Sequence, residues 1–363
     1  MKVTRFSTRV VRIPADEPLL GREGAGSATR EFVLLHVDTD EGLGGIGLTL
    51  FGGPLINALR AAVDALAELV IGENPLHVEA IATKLRTAAG FAGPGGIFTL
   101  ALAAIDIALW DIKGKALGQP VWALIGGARD RVPTYASGAL GRSMPVALLA
   151  MAAARLVGMG FTQMKMQLGG APAASAEVER VQMVRESIGD EIALMADANQ
   201  RWTVKQALAI GGRLERYHLF WLEDVVAHDD IPGQARVAAG LTTPLAAGEY
   251  HYGISPFRAL LEAGAVDVVM IDLVRVGGVT PWLKVAGMAA AFHRPVVSHL
   301  LPEMAVHLVA GVSNGLTVEY MPWTLRLFQE TPRLERGQLV VPQRPGWGLT
   351  VDEQAIKQYE VTV

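Results

Sequence analysis

The sequence predicts an α/β protein in which a barrel of eight parallel strands follows a smaller α+β domain. Short apolar runs alternate with helical stretches eight times between residues 132 and 320. Seven of these runs in succession end in a polar residue, at intervals of 20 to 32 residues. A strand of about five or six residues, a helix of about 11 and two short connections add up to that interval. Antiparallel strand patterns come before the helices in the first part of the chain, which is typical of an α+β domain.

The first domain is predicted from strands at residues 2–14 and 31–39 and from a glycine-weakened third strand that begins at Gly44. Apolar residues then recur at helical spacing over residues 54–117. The segment 14–30 joins the first two strands, and its glycines predict a mobile loop. Such a loop is either a plain linker or a lid over a binding site.

The barrel is predicted from eight runs whose alternation with helices is regular. The predicted strands lie at residues 132–138, 161–168, 191–197, 219–223, 244–249, 266–272, 295–299 and 316–320. Eight parallel strands joined by helices form a TIM-type barrel. We therefore assign residues 1–125 to the α+β domain and residues 126–330 to the barrel. The tail, 331–363, lacks the barrel rhythm and is expected to pack back on the first domain.

The composition narrows the class of function. Of 363 residues, 51% are hydrophobic and 19% are charged, and the net charge is −4. This balance, without a basic run, argues against a nucleic-acid or membrane-surface partner. The absence of cysteine excludes disulfides, thiolate zinc sites and cysteine nucleophiles. Neither a targeting signal nor an apolar stretch of about 18 residues is visible, so we expect a soluble protein, with the cytoplasm as the default location.

Three of the polar strand ends are carboxylates at equal spacing. Glu223 follows Asp197 by 26 residues, and Glu249 follows Glu223 by 26. In a barrel of parallel strands the carboxyl ends meet at one rim, where active sites are built. Oxygen ligands of this kind suit a hard cation such as Mg²⁺. Three unrelated solvated acids are the alternative, and the equal spacing favours a metal site.

The remaining strand ends supply groups for proton transfer. His299 is the candidate base, since its ordinary pKa of roughly 6.5 suits proton transfer at neutral pH. Asp272 ends the preceding strand and can hydrogen-bond to it, which would fix the imidazole tautomer. Lys165 would neutralise an enolate or tether a carboxylate. Glu319, if its neighbours keep it protonated, would donate a hydrogen bond to the enolate.

These motifs resemble the mandelate racemase group of the enolase superfamily over nearly the whole chain. The resemblance lies in residues 104–115, Asp197-Ala-Asn199, Trp221-Leu-Glu223-Asp, Gly248-Glu249, Asp272 followed by Gly277-Gly-Val-Thr, and Ser298-His299-Leu. It implies a capping domain over a (β/α)7β barrel, Mg²⁺, and abstraction of the proton beside a carboxylate. It also implies that the loop 14–30 closes on substrate, that Ser137 and Asn199 lie near the substrate carboxylate, and that the protein is a homo-oligomer.

One residue departs from this group, whose second barrel strand commonly ends in Lys-x-Lys with the second lysine as a base. Here the motif is Lys165-Met-Gln167, and an amide cannot accept and return a proton. A reaction run from one face by His299 fits this site better than racemisation. The resemblance then implies dehydration of an acid sugar, an aldonate or an aldarate such as galactarate or talarate, to a 2-keto-3-deoxy acid.

Alternatives remain open at this point. They are a racemase, an epimerase or a cycloisomerase of a carboxylate, and a non-catalytic relative that binds acid sugars. A metal-dependent hydrolase is disfavoured, because the first barrel strand lacks a His-x-His motif. The candidate substrate contacts, besides Ser137 and Asn199, are Gln167, His251, Arg22 and Trp323.

Overall fold

A computed structural model describes residues 1–21, 28–171 and 173–361. Its first domain is an antiparallel sheet, in the order β1-β2-β3, with helices packed against it. The strands are β1 (Val3–Pro14), β2 (Thr29–Thr39) and β3 (Gly44–Thr49), and the helices are α1 (Ile56–Glu68), α2 (Val78–Ala89) and α3 (Gly96–Ala116). A short helix, α4 (Val121–Leu124), leads into the second domain.

The glycines of β3 let helix α3 lie directly on the strand. A Cβ atom at Gly45 would come within 2.2 Å of the Ala108 carbonyl oxygen, and one at Gly47 within 2.0 Å of the Ala104 carbonyl oxygen. No larger residue fits at these distances without moving the backbone. The glycines that made β3 a weak strand prediction are therefore required for its packing against α3.

The second domain is a closed barrel with helices outside. Its strands are β4 (Arg131–Leu140), β5 (Gln163–Gln167), β6 (Ala193–Asp197), β7 (Trp221–Glu223), β8 (Leu245–Ala247), β9 (Val268–Asp272), β10 (Val296–His299) and β11 (Val318–Tyr320). Its helices are α5 (Val146–Gly158), α6 (Ala174–Ile188), α7 (Val204–Leu214), α8 (Ile231–Gly240), α9 (Ser255–Glu262), α10 (Val279–Ala291) and α11 (Pro302–Gly311). Consecutive strands from β4 to β10 pair in parallel, β11 pairs with β4, and a bridge from Val296 to Gly315 closes the ring. The predicted fold class is confirmed.

Three predicted strand ends differ from the structure. Lys165 lies inside β5, and Glu319 is followed by Tyr320 in β11. Strand β8 stops at Ala247, whereas the sequence predicted that Glu249 closes it. Gly248 has a φ of 135°, which turns the chain away from the strand, and a Cβ there would lie 2.3 Å from the Met270 carbonyl oxygen. Glu249 is therefore presented from the loop that follows β8.

The tail divides between the two domains. Its strands β12 (Arg333–Glu335) and β13 (Gln338–Val340) form a hairpin, and β13 pairs with barrel strand β4. The hairpin thus differs from the expectation that the whole tail packs on the first domain. Residues beyond it do reach that domain, because Glu360 bridges to Val11 after helix α12 (Glu353–Tyr359). Over the described part of the chain, none of the helices combines the length and apolarity that crossing a membrane needs.

A buried carboxylate joins β3, α3 and the tail. Asp111, which is 1% exposed, accepts hydrogen bonds from the backbone N–H of Ile46 and of Trp347, both at 2.9 Å. The ammonium of Lys115 donates to the same carboxylate at 2.7 Å. Three segments that are distant in sequence therefore depend on one side chain.

We expect Asp111→Ala to lower the free energy of unfolding by about 2–4 kcal/mol, since two buried N–H groups lose their acceptor. Thermal and urea denaturation of the variant against the parent chain measure this loss. The matched control is Asp64→Ala, which removes a half-exposed carboxylate that accepts from the Thr8 hydroxyl. We expect it to cost about 1 kcal/mol or less. Equal losses in the two variants would contradict the linking role of Asp111.

Candidate active site

The polar residues that end the barrel strands come together at one mouth of the barrel. Gln167 pairs with Asp197, and Asp197 pairs with Glu223, at the ends of β5, β6 and β7. Asp272 and His299 pair in the same way at the ends of β9 and β10. Paired residues on neighbouring strands point to the same face, so these side chains share the barrel mouth.

Three buried carboxylates surround one point of this mouth, and a fourth, Glu249, lies nearby. Oxygen atoms of Asp197, Glu223 and Asp224 lie within 4.8 Å of one another. The Asp224 Oδ2 atom is buried and has no hydrogen-bond partner within the described residues. Glu249, the third metal ligand that the sequence predicted, lies on the side of His299, with its Oε2 atom 3.3 Å from the Nε2 atom. Of the neighbouring carboxylates, Glu249 acts most strongly on the pKa of Asp197.

This carboxylate cluster fits a divalent cation. Burial raises the pKa of Asp197 to about 7, with Lys165 opposing the shift and Glu249 adding to it. Burial likewise raises the pKa of Glu223 and of Asp224 well above the usual range. The donors are all oxygens, one of them is without a partner, and their negative charge exceeds what one lysine neutralises. Such a donor set is suited to Mg²⁺.

Lys165 is a fixed cation inside the site. Its ammonium donates to Glu223 Oε1 at 2.5 Å and lies 2.9 Å from Glu319 Oε1. Burial would lower the pKa of Lys165, but these two carboxylates raise it well above the usual range. These contacts favour the charged form of Lys165, and its role toward an enolate stays a prediction.

The surroundings of Glu319 favour its charged form, whereas the role that the sequence suggested needs the protonated form. Burial acts to raise the pKa of Glu319, but Lys165 and His299 lower it to about 2. The carboxylate accepts hydrogen bonds from the Ser137 hydroxyl and the Leu300 N–H, both at 2.7 Å. Leu300 has a φ of 56°, an unfavourable left-handed conformation that directs its N–H to Glu319. An ionised carboxylate only accepts hydrogen bonds, so this environment does not favour the donor role that the sequence suggested for Glu319.

Asp272 and His299 form the hydrogen bond that the sequence predicted. Asp272 Oδ2 lies 2.6 Å from His299 Nδ1, and its other oxygen accepts from the backbone N–H of Val274 and of Arg275. The acid is held in place by its own loop and orients the imidazole, leaving Nε2 to face the mouth. Burial lowers the pKa of His299, but Glu249 and Asp272 raise it to about 9. Much of that rise depends on the charge of Glu249, which a dication would compensate.

The predicted substrate contacts are only partly assembled at this mouth. Ser137 is bound to Glu319, and Asn199 donates to Asp197 Oδ2 at 2.5 Å. His251 instead faces the rings of His228 and Phe257, and burial lowers its pKa to about 4.

Two further candidates lie at the edge of the site. The guanidinium carbon of Arg30, a residue of the first domain, lies 3.7 Å from the centre of the Trp323 ring. Gln167 is half-buried at the end of β5, as predicted. Arg22 lies outside the residues that the structure describes.

Sequence reasoning missed Asp224, Arg275 and Phe51. Asp224 follows Glu223 directly, so strand alternation alone would point it away, but its φ of 41° turns it. Arg275 donates to the Glu249 carbonyl at 2.9 Å, and its guanidinium lies 3.7 Å over the Phe51 ring. That ring stacks on His299 with centroids 6.3 Å apart, so the first domain covers the imidazole. The run Phe51-Gly-Gly-Pro after β3 was the available signal.

Comparison with known proteins places this geometry in a family. Residues 148–355 match the family described as enolase C-terminal domain-like, and residues 12–126 match the mandelate racemase / muconate lactonizing enzyme N-terminal domain. The chain belongs to the mandelate racemase group of the enolase superfamily. As a member, it has the capping domain and barrel that the sequence predicted.

Several members of the superfamily are similar to this chain. L-talarate/galactarate dehydratase of Salmonella typhimurium is 33% identical over 91% of this chain and 83% of its own length. The 3,6-anhydro-alpha-L-galactonate cycloisomerase of Streptomyces coelicolor is 31% identical over 99% of both chains. The crystal structure of L-talarate dehydratase from a Polaromonas species, complexed with Mg and L-glucarate, superposes with a TM-score of 0.92 at 30% identity over 99% of this chain and 98% of that one.

These relatives define the enzyme class and the metal. The chain is an enzyme of the enolase superfamily, in the class of the hydro-lyases. Mg²⁺ is its cofactor, in agreement with the carboxylate cluster of the barrel mouth.

We expect Glu249→Gln to weaken Mg²⁺ binding at least about tenfold, as even the groups that support metal ligands contribute that much. The physical reason is that Glu249 is the carboxylate with the largest effect on Asp197. Asp224→Asn is the matched variant, since it also removes one charge and keeps the side-chain size. Isothermal titration of Mg²⁺ into each metal-free variant gives the dissociation constants. A loss confined to Asp224→Asn would identify Asp224, and not Glu249, as the third ligand.

Proposed function

We propose that the protein is a Mg²⁺-dependent dehydratase of an acid sugar, an aldonate or an aldarate of the galactarate or talarate type. The observation that carries this proposal is the Asp272–His299 pair, which presents one basic nitrogen to the carboxylate cluster. Similarity to the dehydratase of Salmonella typhimurium supports the substrate class. We further propose Asp197, Glu223 and Glu249 as the metal ligands, and expect a cytoplasmic homo-oligomer.

The reaction begins with removal of the proton beside the substrate carboxylate. His299 Nε2 accepts this proton, while Asp272 holds the ring by Nδ1 and stabilises the imidazolium that forms. The electron pair left on the α-carbon moves into the carboxylate, giving an enediolate. Bound Mg²⁺ supplies positive charge for the carboxylate oxygens. The ammonium of Lys165 adds a second, permanent charge on the side of β5.

Elimination returns the same proton. The enediolate electron pair forms the carbon–carbon double bond as the β-carbon–oxygen bond breaks. The His299 imidazolium gives its proton to the departing hydroxyl, so that water leaves and the base is regenerated. The resulting enol gains a proton at the β-carbon and loses its hydroxyl proton, which gives the 2-keto-3-deoxy acid. Atoms and charge balance without another reactant.

A second candidate function is cycloisomerisation, favoured by the similarity to the Streptomyces coelicolor cycloisomerase. That reaction would rearrange the carbon–oxygen framework without loss of water. Product analysis separates the two, because only dehydration yields a product that is lighter than its substrate by one water. Racemisation and epimerisation have less support, since Gln167 offers no base on the side of β5.

We expect His299→Asn to lower kcat by roughly 10²–10⁴, because the general base is lost while the amide keeps a partner for Asp272. Proton NMR of acid sugars with Mg²⁺ in D₂O follows loss of the α-proton signal and growth of the deoxy methylene. Mg²⁺ titration of the variant is the control and should give a dissociation constant close to that of the parent. Full turnover in the variant would rule out His299 as the base.

We expect Gln167→Lys to introduce exchange of the α-proton with solvent on the face opposite His299, because an amine can accept and return a proton. Deuterium incorporated into recovered substrate, or an epimer at the α-carbon, measures this gain by NMR. Gln167→Met is the matched control and should show neither. If the parent chain already gives epimer at a rate comparable with elimination, a second base exists and the one-face mechanism is wrong.

A further inference from the structure

A pair of arginines lies at the barrel mouth on the side of β5 and β6. Arg142 follows β4 and reaches the loop after β6, where its Nη2 atom donates to the Asn199 side-chain oxygen. Asn199 in turn donates to Asp197 Oδ2 at 2.5 Å. The Arg142 guanidinium is therefore one side chain away from a proposed metal ligand. Arg201, two residues after Asn199, is the second member of this arginine pair.

Two glycines hold the stems of the arginine pair. A Cβ atom at Gly170 would lie 3.1 Å from the Cβ and Cγ atoms of Arg142, and one at Gly169 would lie 2.8 Å from the Cβ atom of Arg201. Both glycines directly follow β5, whose last residue is Gln167. Each arginine thus packs over one glycine, and the two charges are placed at the end of β5. Larger residues there would displace them.

The arginine pair has positive charge without a matching acid. The Arg142 Nη1 atom is buried and finds no hydrogen-bond partner within the described residues. In that same part of the chain, neither Arg142 nor Arg201 forms an ion pair within 4 Å. Burial lowers the pKa of Arg142, and the neighbouring charge of Arg201 lowers it further, while Asp197 and Glu177 oppose this shift from beyond ion-pair distance. Arg142 as a whole is half-buried and Arg201 is exposed. The buried Nη1 atom without an acceptor, beside a second cation, is costly unless an anion binds there.

Two other guanidinium groups described near the mouth are already engaged. Arg30 lies on the Trp323 ring. Arg275 donates to the Glu249 carbonyl and lies on the Phe51 ring. It therefore fixes the contact between the two domains and keeps fewer donors for a ligand. The stems of Arg142 and Arg201 pack on the glycines after β5, which is three strands around the ring from β10, the strand of His299. An anion at the arginine pair would lie away from the base that acts on the α-carbon.

We propose that Arg142 and Arg201 bind the second carboxylate of a dicarboxylic acid sugar, so that the substrate is an aldarate rather than an aldonate. This inference rests on the proposed dehydratase function. The metal site and Lys165 compensate the charge of the first substrate carboxylate. The arginine pair binds the carboxylate at the other end of the substrate. A planar guanidinium donates two parallel hydrogen bonds to a carboxylate. The terminal hydroxymethyl of an aldonate has no charge to offer it.

The test compares hexarates with hexonates that share their configuration at C2 to C5. The proteins are the parent chain, Arg142→Met and Arg201→Met, with Arg142→Lys to keep the charge but lose the planar fork. Arg213→Met, an exposed arginine of α7, is the matched control. Steady-state kinetics with Mg²⁺ give kcat and KM for each acid, and equilibrium dialysis gives the affinity of each variant for the same diacids.

We expect the parent chain to favour the diacid of a pair by about tenfold or more in kcat/KM, as a charge-assisted contact is among the strong ones. Arg142→Met should remove that preference, mainly by raising KM for the diacid. Its effect on the monoacid should be much smaller. Arg142→Lys should fall between the two, and Arg213→Met should behave as the parent.

Two results would contradict the proposed carboxylate-binding role of the arginine pair while leaving the dehydratase proposal intact. One is dehydration of a hexonate as efficiently as its hexarate by the parent chain. The other is an equal loss on both acids in Arg142→Met. If no acid of the panel loses water, the dehydratase proposal itself fails. Equilibrium dialysis then tests the proposed role of the arginine pair separately. That role is wrong if the parent chain binds no diacid, or if Arg142→Met binds the diacid as tightly as the parent.

Discussion

The attraction between Lys165 and two buried carboxylates holds the barrel mouth together. Its ammonium contacts Glu223 and Glu319, which are contributed by strands on opposite sides of β5. Neither Asp197 nor Asp224 has an ammonium in contact within the described residues, and burial, with the neighbouring carboxylates adding to it, raises the pKa values of both. One ammonium is too little for this charge, so the same surplus that strains the apoprotein gives it affinity for a dication.

The fold could be predicted from the sequence because the barrel repeats one physical pattern. Several strands are apolar until a final residue that is polar where it meets the mouth. The predicted strand ends at Asp197, Glu223, Asp272 and His299 therefore agree with the structure. Strand starts were less accurate, since apolar residues there continue into loops that are also buried. The Asp272–His299 contact followed from adjacent strand ends alone.

The remaining features depend on tertiary contacts that no local pattern encodes. Glu249 is placed by Gly248, whose φ is set by close approach to β9. The ionisation of Glu319 depends on Lys165, which is distant in sequence. Arg142 resembles any loop arginine until the structure places it beside Asn199. Hydrophobic periodicity identifies helices and strands. The positions of Glu249, Glu319 and Arg142 in the site depend on distances between those elements, which periodicity does not give.

The link from Asp111 to Trp347 also has a consequence for the order in which the protein is assembled. Helix α3 and β3, which contain Asp111 and its donor Ile46, are synthesised early. The second backbone donor, Trp347, leaves the ribosome only near the end of the chain. Strand β11 must likewise arrive before the ring can close on β4. One buried contact of the amino-terminal domain, that between Asp111 and Trp347, therefore forms only after the carboxyl-terminal part of the chain has been synthesised. Removal of that part would leave Asp111 Oδ1 without this backbone donor.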